Sequence, residues 1–232
     1  MTDWRIWPAT NGPNTDAADA SDISRGIIFR LSSTGWLTAI RFYRGTTNVG
    51  NHTGGAPTGR LYAVAGETPV AGTDVTFTLS GTGWQTATLS TPVMLSAGVT
   101  YKAVVLTGNY TATGGYFASG AGVGGIVQGI ITAPDAGGNP SGIGSIQQGS
   151  FRQPTTGLQY PNQYFGGGNY WVDVTVADAD PGSDIRTASG SVAVGAVAVT
   201  SVSSKVAIQQ AAVRDAHATW ARPRRTAAAA DR

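Results

Sequence analysis

Hydrophobic and polar positions alternate most strictly over Asn169–Val176. Tyr170, Val172, Val174 and Val176 share one parity; Trp171, Asp173 and Thr175 share the other. Such alternation describes a half-buried strand. The glycine run Gly166–Gly168 precedes it, and the turn-forming Asp178-Ala179-Asp180-Pro181-Gly182 ends it. The pattern predicts the closing strand of a sheet that begins near residue 26.

The same period recurs upstream. Gly26–Leu31 sets Ile27, Phe29 and Leu31 on one face. After the turn at Ser33-Thr34-Gly35, Trp36–Tyr43 carries bulk on both faces, as a strand covered on both sides does. Arg60–Ala65, Val75–Leu79, Gly83–Leu89, Val93–Leu95 and Val99–Leu106 follow at the spacing of a sandwich. Trp84 reads as core more readily than as a platform for a sugar, because large aromatics dominate such cores.

Two segments break the rhythm. Residues 1–24 form an arm whose anchors, Trp4, Ile6 and Trp7, dock either on their own domain or on a partner chain. Residues 107–168 hold 17 glycines, with Tyr110, Tyr116, Phe117, Phe151, Tyr160, Tyr164 and Phe165 among them. So long a connection is functional when it occurs in a compact domain, and short strands such as 125–132 fit inside it. Its aromatics have three uses open to them: stacking on sugar rings, contact with a neighbouring subunit, or fastening the loops to their own sheet.

Trp171 and Asp173 lie opposite the valines. In a two-layer sandwich that face meets solvent or a bound partner, which makes Trp171 the leading recognition residue unless an inserted loop covers it. Tyr164, Tyr160, His52 and Asp173 complete the candidate ligand set. For His52 the plainer alternative is a ring that fixes its own loop through backbone hydrogen bonds.

Beyond Pro181-Gly182 the composition shifts. Ser191–Val202 alternates, slips parity at Gly195, and alternates again, as a bulged strand does. Its valines, Val192, Val194, Val197 and Val199, need a partner strand, for which an equivalent strand of another copy serves. Lys205–Trp220 is rich in Ala and Gln and predicts a helix, with Val206, Val213 and Trp220 at seven-residue spacing. Trp4, Trp7, the four valines and Trp220 are therefore the candidate assembly contacts.

Charge and composition narrow the chemistry. Residues 1–180 carry eight Lys and Arg against ten Asp and Glu, while residues 181–232 carry seven against three. The basic balance thus belongs to the tail, and the main domain has no basic patch interleaved with aromatics for nucleic acid. The 232 residues include no cysteine, one glutamate and two histidines. No nucleophile elbow, phosphate-cradling loop or paired set of metal ligands is present, so neither an enzyme nor a cofactor is expected. No apolar run reaches the length of a membrane span, and the N-terminus has no secretory pattern.

Three separated blocks carry a family resemblance. The first is Ile40-Arg41-Phe42-Tyr43-Arg44-Gly45 with Asn48-Val49-Gly50-Asn51-His52-Thr53-Gly54. The second joins Gly83-Trp84-Gln85-Thr86, Thr91-Pro92-Val93 and Ala97-Gly98-Val99-Thr100-Tyr101, and the third is Asn169-Tyr170-Trp171-Val172-Asp173-Val174. Together they resemble the bacterial domain of unknown function DUF4082, over residues 25–178. The resemblance implies a jelly-roll-like antiparallel β-sandwich, similar to carbohydrate-binding modules and often appended to extracellular bacterial proteins, with no established activity. This chain differs in its long glycine-rich insertion and in carrying the module without an export sequence.

The expected organisation is an arm (1–24), an all-β sandwich (25–178) and an extension with a strand, a helix and a basic tail (179–232). The expected function is that of a non-enzymatic bacteriophage virion protein, tail-associated or decorating the head. It would be made in the host cytoplasm, released with the virion, and assembled as a homo-oligomer with other virion proteins. The alternative is a carbohydrate-binding module of a bacterial surface protein.

Overall fold

The computed structural model describes residues 1–182 apart from 14, 18–20, 47–49, 141, 143–145 and 154, and of residues 15–17 the backbone alone. The strand, helix and tail expected over 183–232, with Val192, Val194, Val197, Val199 and Trp220, lie outside the described residues.

The strands in chain order are β1 (Asp3–Trp4), β2 (Thr15–Ala17), β3 (Ile23–Leu31), β4 (Gly35–Arg44), β5 (Thr58–Ala63), β6 (Thr68–Pro69), β7 (Val75–Thr76), β8 (Gly83–Leu95), β9 (Thr100–Thr107), β10 (Tyr110–Ala112), β11 (Ile126–Gln128), β12 (Ile131–Ala133), β13 (Ser150–Arg152) and β14 (Val172–Ala177). A single 3-10 turn, Ala65–Glu67, is the one helical piece among the described residues. A front sheet runs β1-β14-β4-β8, and a back sheet runs β11-β12-β3-β9-β5-β6, with β13 also on β3 and β7 also on β5. All pairs are antiparallel, and the two sheets pack as a sandwich.

The core follows from side-chain parity. Ile27, Phe29 and Leu31 of β3 and Tyr101, Ala103 and Val105 of β9 face inward from the back sheet. Val172, Val174 and Val176 of β14 face them from the front, paired across to Phe42, Ile40 and Leu37 of β4. Leu37 and Ile40 have opposite parity in sequence. A bulge between Leu37 and Ala39 brings both onto the core face. Phe42 meets Phe77 edge to face at 4.9 Å. Each such buried side chain contributes about 1.5–3 kcal/mol through area removed from water.

The closing strand starts three residues later than the alternation over Asn169–Val176 predicts, at Val172, and runs to Ala177. β14 lies between β4 and the two residues of β1. The segments expected as Gly83–Leu89 and Val93–Leu95 are one strand, β8, interrupted where residues 89–92 stand against Thr38 alone.

The insertion is not structureless. Ile126–Gln128 and Ile131–Ala133 form a hairpin, and β12 and β13 continue the back sheet along one edge of β3. On that edge, between them, no strand residue pairs with Ile28, whose partner Lys102 is on the opposite side. The buried amide of Gln148 stands in for one: its Oε1 accepts the Ile28 N–H (2.7 Å) and its Nε2 donates to the Ile28 carbonyl (2.9 Å). Gly149, next to it, has φ of +66°, and a Cβ there would sit 1.6 Å from the Gly168 carbonyl oxygen, so only glycine closes this crossing.

A second knot is Asp135. Burial pushes its carboxyl up, but N–H groups of Asn139, Gly124 and Gly137 outweigh this and hold it below the usual carboxylate range. On the outer face of the back sheet, Lys102 donates to the Pro161 carbonyl (2.9 Å) and lies 4.1 Å from the centre of the Tyr160 ring. Burial pulls Lys102 down to about 8 and pushes Tyr160 up to about 12. Of the three uses open to the insertion's aromatics, Tyr160 serves the third: it fastens the loop to its own sheet.

Candidate functional site

The outer face of the front sheet carries Arg41, Tyr43, Trp84, Asp173 and Thr175, and the arm lies across it. β1 pairs Asp3 and Trp4 with Ala177 and Val176. Arg5 Nε donates to Thr175 Oγ1 (3.2 Å), and the Ile6 N–H donates to Asp173 Oδ1 (2.9 Å). Trp7 then turns into the fold with 1% of its surface exposed. It stacks on Trp84 (ring centroids 6.2 Å) and packs against Trp171 (5.4 Å), Tyr116 (6.5 Å) and Phe117 (6.5 Å). Its indole N–H donates to the Tyr116 hydroxyl (3.3 Å). Trp4 lies on Gly129, whose missing Cβ leaves room for the indole ring. Both arm tryptophans therefore dock on their own domain, the first of the two uses open to them.

Trp171 is the junction of the cluster. Its backbone has φ of +51°, a left-handed conformation that a bulky residue adopts only when its surroundings hold it there. Three bonds do so. Asn169 Oδ1 accepts its N–H (2.8 Å), its carbonyl accepts the Tyr43 N–H (2.9 Å), and its indole N–H donates to Thr113 Oγ1 (3.0 Å). Of the two readings open for Trp171, solvent or partner contact and cover by an inserted loop, the structure has the second: it is 3% exposed, with the arm and the insertion over this face. Its parity relative to the valines was as read; the face is occupied from within the chain.

Asp173 is also buried and not on a surface. It faces Arg41 at 3.4 Å, and Arg41 lies over the Trp84 ring at 4.4 Å. Burial pushes the Asp173 carboxyl up to about 6, against the opposing pull of Arg41 and of the N–H groups of Ile6, Val174 and Trp7.

Over this cluster opens a cleft of about 590 Å³. Thr10, Asn11 and Gly12 of the arm form one wall; Thr113, Gly114, Gly120 and Ala121 of the insertion form the other; Tyr116 and Trp171 lie at the base. Asn11 is anchored from below, its carbonyl accepting the Trp84 indole N–H at 2.9 Å. Among the described residues no Asp, Glu, Lys, Arg or His lines the cleft. Thr113 Oγ1 accepts from Trp171 and Tyr116 Oη from Trp7, so both hydroxyl protons are left to donate elsewhere.

The residues expected to bind ligand do not converge. Trp171 alone of them borders the cleft. His52 Nδ1 accepts the Gly54 N–H (2.9 Å) and its backbone pairs with Gly55, so it shapes its own loop. Tyr160 is on the back sheet, and Tyr164 is partly exposed beside Phe165, which is 75% exposed. Asn11, Thr113 and Gly114 carried no signal of a site in the sequence, whereas Tyr116 stood among the insertion's aromatics, for which sugar contact was one of three open uses. Among the described residues no three His, Asp or Glu side chains gather as metal ligands, and no helix is long and apolar enough to cross a membrane.

None of the curated proteins and none of the solved structures matches the chain. The sequence model of a domain of unknown function, DUF4082, matches residues 9–172, a span that takes in both walls of the cleft and its aromatic base. The chain belongs to the DUF4082 family.

Proposed function

We propose that the domain is a non-enzymatic binding module whose cleft takes a neutral, hydroxyl-rich ligand, a surface saccharide. The observation that carries this reading is the uncharged lining. A charged ligand would lose water there and find no counter-charge, a cost of several kcal/mol. A sugar hydroxyl finds the Asn11 side chain, the hydroxyls of Thr10, Thr113 and Tyr116, and glycine backbone that allows close approach. The volume is in the range of small-ligand sites. Among the described residues of the lining there is no carboxylate or histidine to act as general acid or base in glycoside cleavage, which supports binding over cleavage.

Gly114 supplies the test. A Cβ there meets nothing within 4 Å, and its φ is not left-handed. Gly114→Phe should fill the cleft, reduce binding on a glycan array at least tenfold, and leave the thermal midpoint unchanged. Absence of any bound saccharide with the wild-type chain, or binding untouched by Gly114→Phe, would count against the reading.

The setting we infer is the surface of a bacteriophage virion, tail-associated or on the head, with homo-oligomeric assembly. What supports it is the composition of 183–232: alternating Val192, Val194, Val197 and Val199, then Trp220 and a basic end. Deleting residues 183–232 should abolish incorporation into particles while saccharide binding persists. Normal incorporation of the shortened chain would remove this reading.

A further inference from the structure

The edges of the two sheets differ. β1 and β6 have two residues each, β6 ends at a proline, and β11 has three. Short strands and proline are how proteins keep edges from pairing. β8 is the exception: 13 residues, with Gly83–Thr91 free of charge and of proline.

The direction of its backbone groups can be worked out. Tyr43 N–H donates to Trp171, so the backbone of Tyr43 points to β14. By alternation Phe42 and Ile40 point the other way, into Gln85 and Ala87. The N–H and C=O of Trp84, Thr86 and Thr88 are then directed out of the sheet. Among the described residues no strand or loop backbone pairs with them. The side chains of Thr86, Thr88 and Ser90 are exposed beside them.

We propose that β8 pairs with the β8 of a second copy, antiparallel about a two-fold axis at Thr86. That register sets Thr86 against the partner's Thr86 and Trp84 against the partner's Thr88. Every outward N–H from 84 to 88 then meets a carbonyl, because each of these facing pairs exchanges both hydrogen bonds. Paired threonines are favourable cross-strand neighbours, and no like charges oppose. A closed two-fold contact satisfies both edges at once, where an unrelated peptide would satisfy one and present its own outer edge to a third strand. The pairing joins two front sheets into one and presents the cleft twice, which raises apparent affinity for a repetitive ligand.

The chain has no cysteine, so a single introduced thiol reports cleanly. Facing residues of a hydrogen-bonded antiparallel pair have Cα atoms about 5.5 Å apart, within disulfide reach. On mild oxidation the full-length Thr86→Cys variant should give a covalent dimer at least tenfold faster than Val127→Cys, an exposed control on β11. Thr86→Pro removes one outward N–H without touching the bonds to β4, and should weaken the dimer at least tenfold in sedimentation with unchanged circular dichroism. Equal cross-linking of the two cysteine variants would overturn the proposal. So would a dimer that survives Thr86→Pro but disappears when residues 183–232 are deleted, because the contact would then belong to the tail.

Discussion

Replacing Trp7 with alanine is expected to destabilise the domain by about 3–5 kcal/mol, the cost of truncating a buried aromatic to a cavity. The side chain is 1% exposed and is in contact with four aromatic rings. Its removal also takes the donor from the Tyr116 hydroxyl and the support from Trp171, whose left-handed backbone depends on its neighbours. For a domain of this size each kcal/mol lowers the midpoint by roughly 2–4 °C, so the whole effect is roughly 6–20 °C. Urea unfolding followed by tryptophan fluorescence measures it. Trp7→Phe should recover part of the loss, since one ring's buried area returns while the second ring and the N–H to Tyr116 do not. A cost below about 1 kcal/mol would mean that the arm contributes little and the cleft wall is separable from the fold.

This prediction ties function to a segment that precedes the first predicted strand. The regular strands were legible because one face of each is buried and the period of two survives in the residues. Ile27-Phe29-Leu31 and Val172-Val174-Val176 needed no structure to be placed. What periodicity could not give was the bulges. Leu37 and Ile40 share a face only because one residue is absorbed between them, and β8 reads as two strands because residues 89–92 leave the ladder. Arg25 marks another limit. It has the parity of Ile27 and Phe29 and is fully buried, 5.2 Å from the Phe42 ring centre, with burial pulling it down to about 9.

The insertion was opaque for a different reason. Its order comes from single polar side chains that replace strand partners: Gln148 beside Ile28, and Asp135 beneath three N–H groups. One residue of each kind leaves no periodic trace. The cleft shares this character. Asn11 and Thr113 lie about a hundred positions apart, so no spacing announces them, whereas Trp171 stands out in the alternating stretch, with solvent, a partner and an inserted loop all open as its neighbour. The resemblance blocks fell on core and turn residues and held, of the cleft lining, Trp171 alone, so they identified the fold and not the cleft.

The buried pair beneath the arm gives the other large effect. Asp173→Ala leaves Arg41 without a counter-charge and strands the Ile6 N–H, so about 3–5 kcal/mol is expected to be lost. Replacing both partners at once, Arg41→Leu with Asp173→Val, should recover most of it, since a buried pair often contributes no more than an apolar pair of similar shape. The pH dependence has a definite sign. The folded carboxyl titrates at about 6 against a usual 3.8, so the native state binds this proton more tightly than the unfolded chain does. Asp173 therefore contributes most below 3.8, and its contribution falls as pH rises through the window to about 6, by on the order of 3 kcal/mol. Asp135 and Asp178, held below the usual range, act in the opposite sense at lower pH, so the informative quantity is a difference. Subtracting the stability of Asp173→Asn from that of the wild type between pH 4 and 7 should leave a downward slope that flattens above pH 6. A flat difference across that range would show that Arg41 and the arm's N–H groups compensate the burial of the carboxylate fully.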